Sequence, residues 1–272
     1  MIFNDHFQNF KKYNLHKAQL VIGDVPYNLG NNAFASNPAW YKDGDNKNGE
    51  SNLAGTSFFP SDSYFKPAEF MHFAGQLLKK EPKESGQAPC MILFCAFDQQ
   101  MYFIELAKRY GLNNYINLVF RKNFSAQVLK ANMKIVGNCE YGLVLYRQKL
   151  PKFNNHGKMI FNCIDWERDD AEIEKLHPTQ KPIKLLKKLI EIFTDENDII
   201  IDPTAGSGST IIAAFELGRK GYGFEIDKKF CKQGNEWINT IKKRKEDIDK
   251  YGFAKTEINK KSVNLFSEYN PA

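Results

Sequence analysis

Apolar residues along this chain fall into two rhythms. Continuous apolar runs occur at AQLVI from Ala18, CMILFCA from Cys90 and DIIID from Asp198. Such runs are the mark of central strands covered on both faces. YINLVFR from Tyr115, YGLVLYR from Tyr141 and GYGFEI from Gly221 read as further strands, and MIFND as a short one at the start. The second rhythm is helical. Phe70, Phe73, Ala74, Leu77 and Leu78 share one face of KPAEFMHFAGQLLKKE, as Leu186, Leu189, Ile190 and Phe193 do in KPIKLLKKLIEIFT. DQQMYFIELAKRYG is a helix with Asp98 as N-cap and Gly111 as terminator. STIIAAFELG and DKKFCKQGNEWINTIKKRKEDI are two more, and FQNFKKYNLHK is a helix or helical turn.

Strands that alternate with helices predict an α/β fold on a mostly parallel sheet. Tyr115–Arg121 and Tyr141–Arg147 are joined without a helix, so they are expected to form an antiparallel end of that sheet. Residues 28–60, the basic loop 122–138 and residues 148–176 show no clear period. A long stretch of that kind inside a compact domain usually carries function. The tail after Tyr251 is rich in Lys, Asn and Ser. No internal repeat is present.

Composition narrows the class. The 272 residues carry a net charge of +6, with a pI near 8.9. That excess permits a polyanionic partner without demonstrating one. No apolar run approaches the roughly 20 residues that span a bilayer, and no leader pattern opens the chain, so a cytoplasmic location is expected. The five cysteines are scattered, with no C-x-x-C, and no histidine spacing suggests a metal site.

The most informative segment is DIIIDPTAGSGSTIIAAFELG. A buried strand ends in Asp202 and Pro203, a loop follows with Gly206 and Gly208, and Ser209 and Thr210 open a helix. Glycines allow a tight turn and close approach to a ligand, and a helix start offers free N–H groups. Glu225 ends the next strand, about where a nucleotide-binding unit places an acid for ribose hydroxyls. No lysine precedes Ser209 or Thr210, so this is not a phosphate loop, and Ile211 stands where a dinucleotide fingerprint needs its third glycine. An acid at the strand end repels pyrophosphate and suits an ammonium. A ligand with a cationic amino-acid end and a ribose fits, as S-adenosylmethionine does. A ligand-free strand–turn–helix corner is the alternative.

DPTAGSGST with GFEID, preceded by HPTQKP and far upstream by DVPY, resembles the amino-methylating DNA methyltransferases of the β arrangement. In these the catalytic tetrapeptide comes first and the cofactor loop near the C-terminus. The resemblance implies a Rossmann-like, circularly permuted, mostly parallel seven-stranded sheet in one catalytic domain over residues 1–272. Residues 28–62 and 122–176 are then target-recognition or lid insertions. It implies that Asp202, Thr204, Gly206, Ser207, Gly208, Ser209 and Thr210 hold the methionine part of S-adenosylmethionine. Glu225 takes the ribose, Asp5 lies near the adenine, and His177, Thr179, Gln180 and Lys181 close over the methionine end. It makes Asp24, Val25, Pro26 and Tyr27 the catalytic tetrapeptide. Asp24 and the Val25 carbonyl accept the N–H bonds of an extruded base's amine, and Tyr27 stacks on that base. Val25 stands where the family pattern has a proline. The acceptor survives, since a carbonyl does not depend on its side chain, but the fixed φ is lost.

An acid at the head of the tetrapeptide is typical of adenine N6 methylators, and serine of cytosine N4 methylators. Double-stranded DNA is the expected partner, contacted by Trp40, Tyr41, Lys122, Phe124, Lys130 and Lys134. A homodimer and a cognate restriction endonuclease are further partners such enzymes have. No metal is expected. The rival readings are a cytosine N4 methylator, an RNA or glutamine methylator, and a catalytically silent DNA-binding module.

Overall fold

The structure is a computed structural model; it describes residues 1–27, 65–123, 127–130, 133–167, 169 and 180–251. The elements run β1 (Ile2–Phe3), a 3-10 turn (Phe7–Tyr13), β2 (Leu20–Asp24), α1 (Pro67–Leu77), β3 (Cys90–Cys95), α2 (Gln100–Arg109), β4 (Asn114–Lys122), β5 (Gln127–Lys130) and β6 (Ile135–Gly137). They continue with β7 (Cys139–Tyr146), β8 (Cys163–Trp166), α3 (Ile183–Phe193), β9 (Ile199–Asp202), α4 (Ser209–Glu216), β10 (Lys220–Phe224) and α5 (Lys228–Tyr251).

Eight strands form one sheet in the order β1-β10-β9-β2-β3-β7-β4-β8, while β5 and β6 make a separate two-stranded ribbon. Every neighbouring pair in the sheet is parallel except the two that β7 makes. β1 pairs with β10 through Ile2↔Gly223 and Phe3↔Phe224, so the chain begins beside one of its last strands, as the permuted order requires.

The continuous apolar strands lie where both faces are covered. Leu20 and Ile22 of β2 point into one core layer with Phe94, Leu186, Leu189 and Ile212. Val21 points the other way, with Phe70, Met91, Leu93 and Phe103. One layer is thus closed by α3 and α4 and the other by α1 and α2. Burying a leucine- or phenylalanine-sized side chain contributes about 1.5–3 kcal/mol, which is why strands of this pattern take the middle of the sheet.

Three expectations change. The sheet has eight strands rather than seven. β8 is the addition: Ile164 and Trp166 are buried and Cys163 and Asp165 exposed, an alternation too short to stand out in sequence. As expected, β4 and β7 pair antiparallel toward one end of the sheet, β7 lying between β3 and β4. β7 and β8 also belong to the sheet, so residues 122–176 are not one insertion. Asp98 is not the cap of α2. It sits in a 3-10 turn, and Gln99 closes that turn by accepting from the Ala96 N–H at 3.0 Å. Gly111 does end the helix, at φ 81°. The FQNFKKY segment is a 3-10 turn, the tighter of the two forms foreseen.

Gly23, one residue before the end of β2, lies under α1. A Cβ there would stand 2.6 Å from Cζ of the fully buried Phe70. Gly23→Ala is expected to destabilise the fold by about 1–3 kcal/mol. Chemical denaturation reads this as a lower midpoint at unchanged m-value, and an unchanged midpoint contradicts it.

Candidate active site

β9 and β2 are parallel neighbours, but the chain leaves them in opposite directions, β9 toward β10 and β2 toward β3. Loops that part at such a point leave a crevice beyond the strand ends. Here one cleft is lined by Asp24, Phe94, Gln180, Lys181, Asp202, Thr204, Gly206, Ser207, Ser209 and Thr210. Its two walls are tied together, because the Asp24 N–H donates to Thr204 Oγ1 at 3.0 Å.

The glycine loop forms the first wall. β9 ends at Asp202, whose Oδ1 accepts from the Thr204 N–H at 2.9 Å. Gly206 and Gly208 take φ of 51° and 86°, which ordinary side chains avoid, and Gly208 leads directly into α4. The Gly206 N–H donates to Glu225 Oε2 at 2.9 Å and the Asp227 N–H to Oε1 at 2.7 Å. Glu225 therefore holds the loop as well as ending β10. Ser207 donates to Gln180 Oε1 at 3.0 Å, which draws the segment before α3 over the loop. Burial pushes the Asp202 carboxyl up to about 7, against hydrogen bonds from Thr210 and Thr204. Burial also raises Glu225, opposed by the N–H groups of Asp227 and Gly206.

The second wall begins where β2 ends. The Val25 N–H donates to the Phe94 carbonyl at 3.2 Å, a bond that a proline could not make. Gln99 donates to the Pro26 carbonyl at 2.9 Å. The turn lacking its first proline is thus held by two hydrogen bonds. Lys181 donates to Asp24 Oδ2 at 2.6 Å and to the Tyr27 hydroxyl at 3.3 Å, and lies 3.4 Å from Glu140 Oε2. Tyr27 donates to Glu140 at 3.1 Å, and Lys122 pairs with the other Glu140 oxygen. Two carboxylates and two ammonium groups therefore share one enclosed cluster, walled by Phe94 and Trp166.

The electrostatics follow from burial and pairing. Burial raises the Asp24 carboxyl and Lys181 opposes it. Burial also acts upward on Glu140, but Lys181 and Lys122 outweigh it and hold that carboxyl below its usual range. Burial works to lower Lys181, and Asp24 and Glu140 outweigh it, so its ammonium holds its proton more tightly than usual. Tyr27 is pushed well up by burial and by the two nearby acids.

Nine residues singled out in the sequence line the one cleft: Asp24, Gln180, Lys181, Asp202, Thr204, Gly206, Ser207, Ser209 and Thr210. Val25, Pro26, Tyr27, Gly208 and Glu225 flank it through the contacts above. Asp5 does not line it. Its oxygens accept from the His6 N–H, Asn9 and Tyr13 within the 3-10 turn, at 2.8, 2.7 and 2.9 Å. Lys122, expected on DNA phosphates, is only 8% exposed and pairs with Glu140. Lys134 is exposed before β6. Trp40, Tyr41, Phe124, His177, Thr179 and the Lys130 side chain lie outside the described residues.

Glu140, Phe94 and Gln99 went unnoticed in the sequence. Glu140 had one signal: an acid near the start of a strand whose later positions are apolar. Among the described residues no cluster of His, Cys, Asp or Glu could hold a metal ion, and no helix is long and apolar enough to cross a membrane.

Such a cleft, at the switch point of a mostly parallel sheet, defines a nucleotide-type binding protein of the Rossmann-like class. Residues 18–236 match the family described as DNA methylase, the N6/N4 group, and the chain belongs to that family. YhdJ of Escherichia coli (strain K12), named a DNA adenine methyltransferase, is 26% identical over 254 residues, 86% of this chain and 80% of its own. YubD of the same strain is 29% identical over 153 residues, which is 56% of this chain and 63% of YubD. The M1.HpyAVI–SAM complex shares the fold at a TM-score of 0.62 and 21% identity, over 88% of this chain and 98% of that one. PvuII DNA methyltransferase, cytosine-N4-specific, shares it at 0.58 and 14%, over 88% and 90%.

The raised Asp202 carboxyl has a consequence for stability. Its folded pKa lies above the unfolded value of 3.8, so the folded state holds the extra proton between there and about 7. That contribution is complete below the unfolded pKa and is lost as pH rises through about 7. Asp202→Asn lacks the titration. Without ligand, its stability relative to wild type should therefore rise between about pH 4 and 7, by on the order of 4 kcal/mol, and then level off. Denaturant midpoints across pH test this, and a pH-independent difference contradicts it.

Proposed function

We propose that the protein transfers the methyl group of S-adenosylmethionine to the N6 amine of adenine in double-stranded DNA. The observation that carries this is the shared cleft. Asp202 and the glycine loop on one wall and Asp24 on the other are tied by the Asp24–Thr204 hydrogen bond.

The residues of the first wall fit a ligand with a cationic end and a ribose. Asp202 is a buried acid whose partners are the hydroxyl and N–H donors of Thr204 and Thr210 rather than a cation. Glu225 accepts one N–H on each oxygen and keeps lone pairs for hydroxyl groups. When bound, S-adenosylmethionine supplies an electrophilic methyl group on a sulfonium. Asp202 takes the ligand's ammonium, Glu225 the ribose, and the glycines allow close approach.

The second wall prepares the acceptor. An exocyclic amine is a poor nucleophile because its lone pair is delocalised into the ring. Asp24 and the Val25 carbonyl accept its two N–H bonds and draw the nitrogen toward tetrahedral geometry, which frees the lone pair for in-line attack. The N–C bond would form as the S–C bond breaks and the neutral thioether leaves, and the methylated nitrogen would give its extra proton to solvent. The Tyr27 ring supplies a stacking face for the extruded base. The chain's contribution is positioning and electrostatic complementarity.

Adenine is favoured over cytosine by the aspartate that heads the tetrapeptide and by the likeness to YhdJ over most of both chains. The fold-level likeness to a cytosine-N4-specific enzyme names the competing base. Incubation with methyl-labelled S-adenosylmethionine and unmethylated duplex DNA, followed by digestion to nucleosides, distinguishes them. N6-methyladenine is expected. N4-methylcytosine, or label appearing only in RNA, overturns the proposal. Cofactor binding with no transfer to either nucleic acid makes the protein a silent binding module.

A further inference from the structure

Lys181 belongs to the segment in front of α3, which the sequence motif associates with the methyl donor. Its ammonium is placed elsewhere. It reaches Asp24 at 2.6 Å, the Tyr27 hydroxyl at 3.3 Å and Glu140 at 3.4 Å. The rings of Phe94, Tyr27 and Trp166 lie around it, 5.1, 5.2 and 5.7 Å from Nζ to their centres. A lysine head has three donors, and three oxygen-bearing partners stand within reach of this one. Glu140 is anchored from its other side by Lys122, which lies 4.4 Å over the Trp166 ring.

Asp24 is used unevenly. Oδ2 holds Lys181, while Oδ1 is buried and has no hydrogen-bond partner. A buried acceptor without a donor costs roughly 1–3 kcal/mol and asks for a reason.

We propose that Lys181 is a positioning residue for the methyl acceptor and not a ligand of the methyl donor. It holds one oxygen of Asp24 so that the carboxylate stays charged and the other oxygen is left for the target amine's N–H. Glu140, steadied by Lys122, keeps the ammonium in place. The inference rests on the proposed role of Asp24 as acceptor and extends it one residue outward.

The chemistry requires such a partner. A carboxylate accepts the amine's N–H strongly, whereas a carboxylic acid does so weakly and brings a proton of its own. A carboxylate enclosed beside aromatic rings tends to take up that proton. Besides Lys181, the titratable groups facing Asp24 are Tyr27, Glu140 of β7, Asp202 of β9 and Cys95 of β3. None of the four brings positive charge, and of them only Tyr27 opposes the burial, through its hydroxyl hydrogen bond. Among these groups Lys181 alone carries positive charge.

The test compares wild type with Lys181→Met and with the double variant K181M/E140Q. The double variant removes one charge of each sign and carries the test where the single variant is too unstable to fold. Three readouts are taken: the ¹³C titration of the Asp24 carboxyl, assigned with Asp24→Asn; the pH profile of kcat on duplex DNA; and the Kd for S-adenosylmethionine. In both variants the Asp24 titration and the acid limb of kcat should move up together by about one pH unit or more. The donor Kd should stay within about threefold of wild type. A loss of donor affinity of about tenfold or more, with the titration and acid limb unmoved, makes Lys181 a donor ligand and overturns the inference. An unmoved titration overturns it whatever the Kd. If wild type transfers no methyl group to DNA, the functional reading fails on that result, and the carboxyl titration still decides the relation between Lys181 and Asp24.

Discussion

The cleft depends on the parallel pairing of β2 with β9 and on the side chain that bridges their ends. Leu20 and Val21 pair with Ile200 and Ile201, which brings Asp24 and Asp202 out of the sheet on the same edge. Thr204 then joins the two turns. Its N–H and hydroxyl donate to Asp202 at 2.9 and 3.4 Å, and the same hydroxyl oxygen accepts from the Asp24 N–H at 3.0 Å. The two acids that the proposed reaction gives to the donor and to the acceptor are thus set by one residue. Chemistry that needs two ligands within bonding distance needs that constraint, since positioning is most of what the protein supplies.

The charge cluster around Asp24 is the costly part of the design. Moving ions from water into an enclosed site costs several kcal/mol each, and pairing offsets this only with good geometry and further hydrogen bonds. Asp24, Lys181, Glu140 and Lys122 meet that condition through contacts from three strands and the segment before α3, with the Tyr27 hydroxyl bridging. Packing apolar residues there would serve stability better. A charged cluster makes sense where a carboxylate must remain ionised beside aromatic walls.

Much of this was legible in the sequence, for physical reasons. The strand–loop–helix at Asp202 shows because glycines and an acid at a strand end are rare together, and the apolar runs show because central strands are buried on both faces. The segment before α3 is specific beside the glycine loop, whereas the tetrapeptide is weak by itself. Their meeting is not local: Asp24 and Lys181 are brought together only by the sheet order. For the same reason the contacts of Lys181 with Asp24 and of Lys122 with Glu140 are not legible, because a lysine in sequence does not say which carboxylate it will face. Glu140 is not legible because it is one polar residue in an otherwise apolar strand. β8 escaped because four alternating residues carry too little signal. Val25 looked like a loss of rigidity until its N–H was seen bonded to Phe94.

The central claim is that donor binding and acceptor activation are done by different walls of one cleft. The most direct test is Asp24→Ala, examined by calorimetric binding of S-adenosylmethionine alongside methyl transfer to duplex DNA. The account predicts a donor Kd within about threefold of wild type and transfer reduced by at least about a thousandfold. Full transfer by the variant, or loss of donor binding in step with loss of transfer, would contradict it.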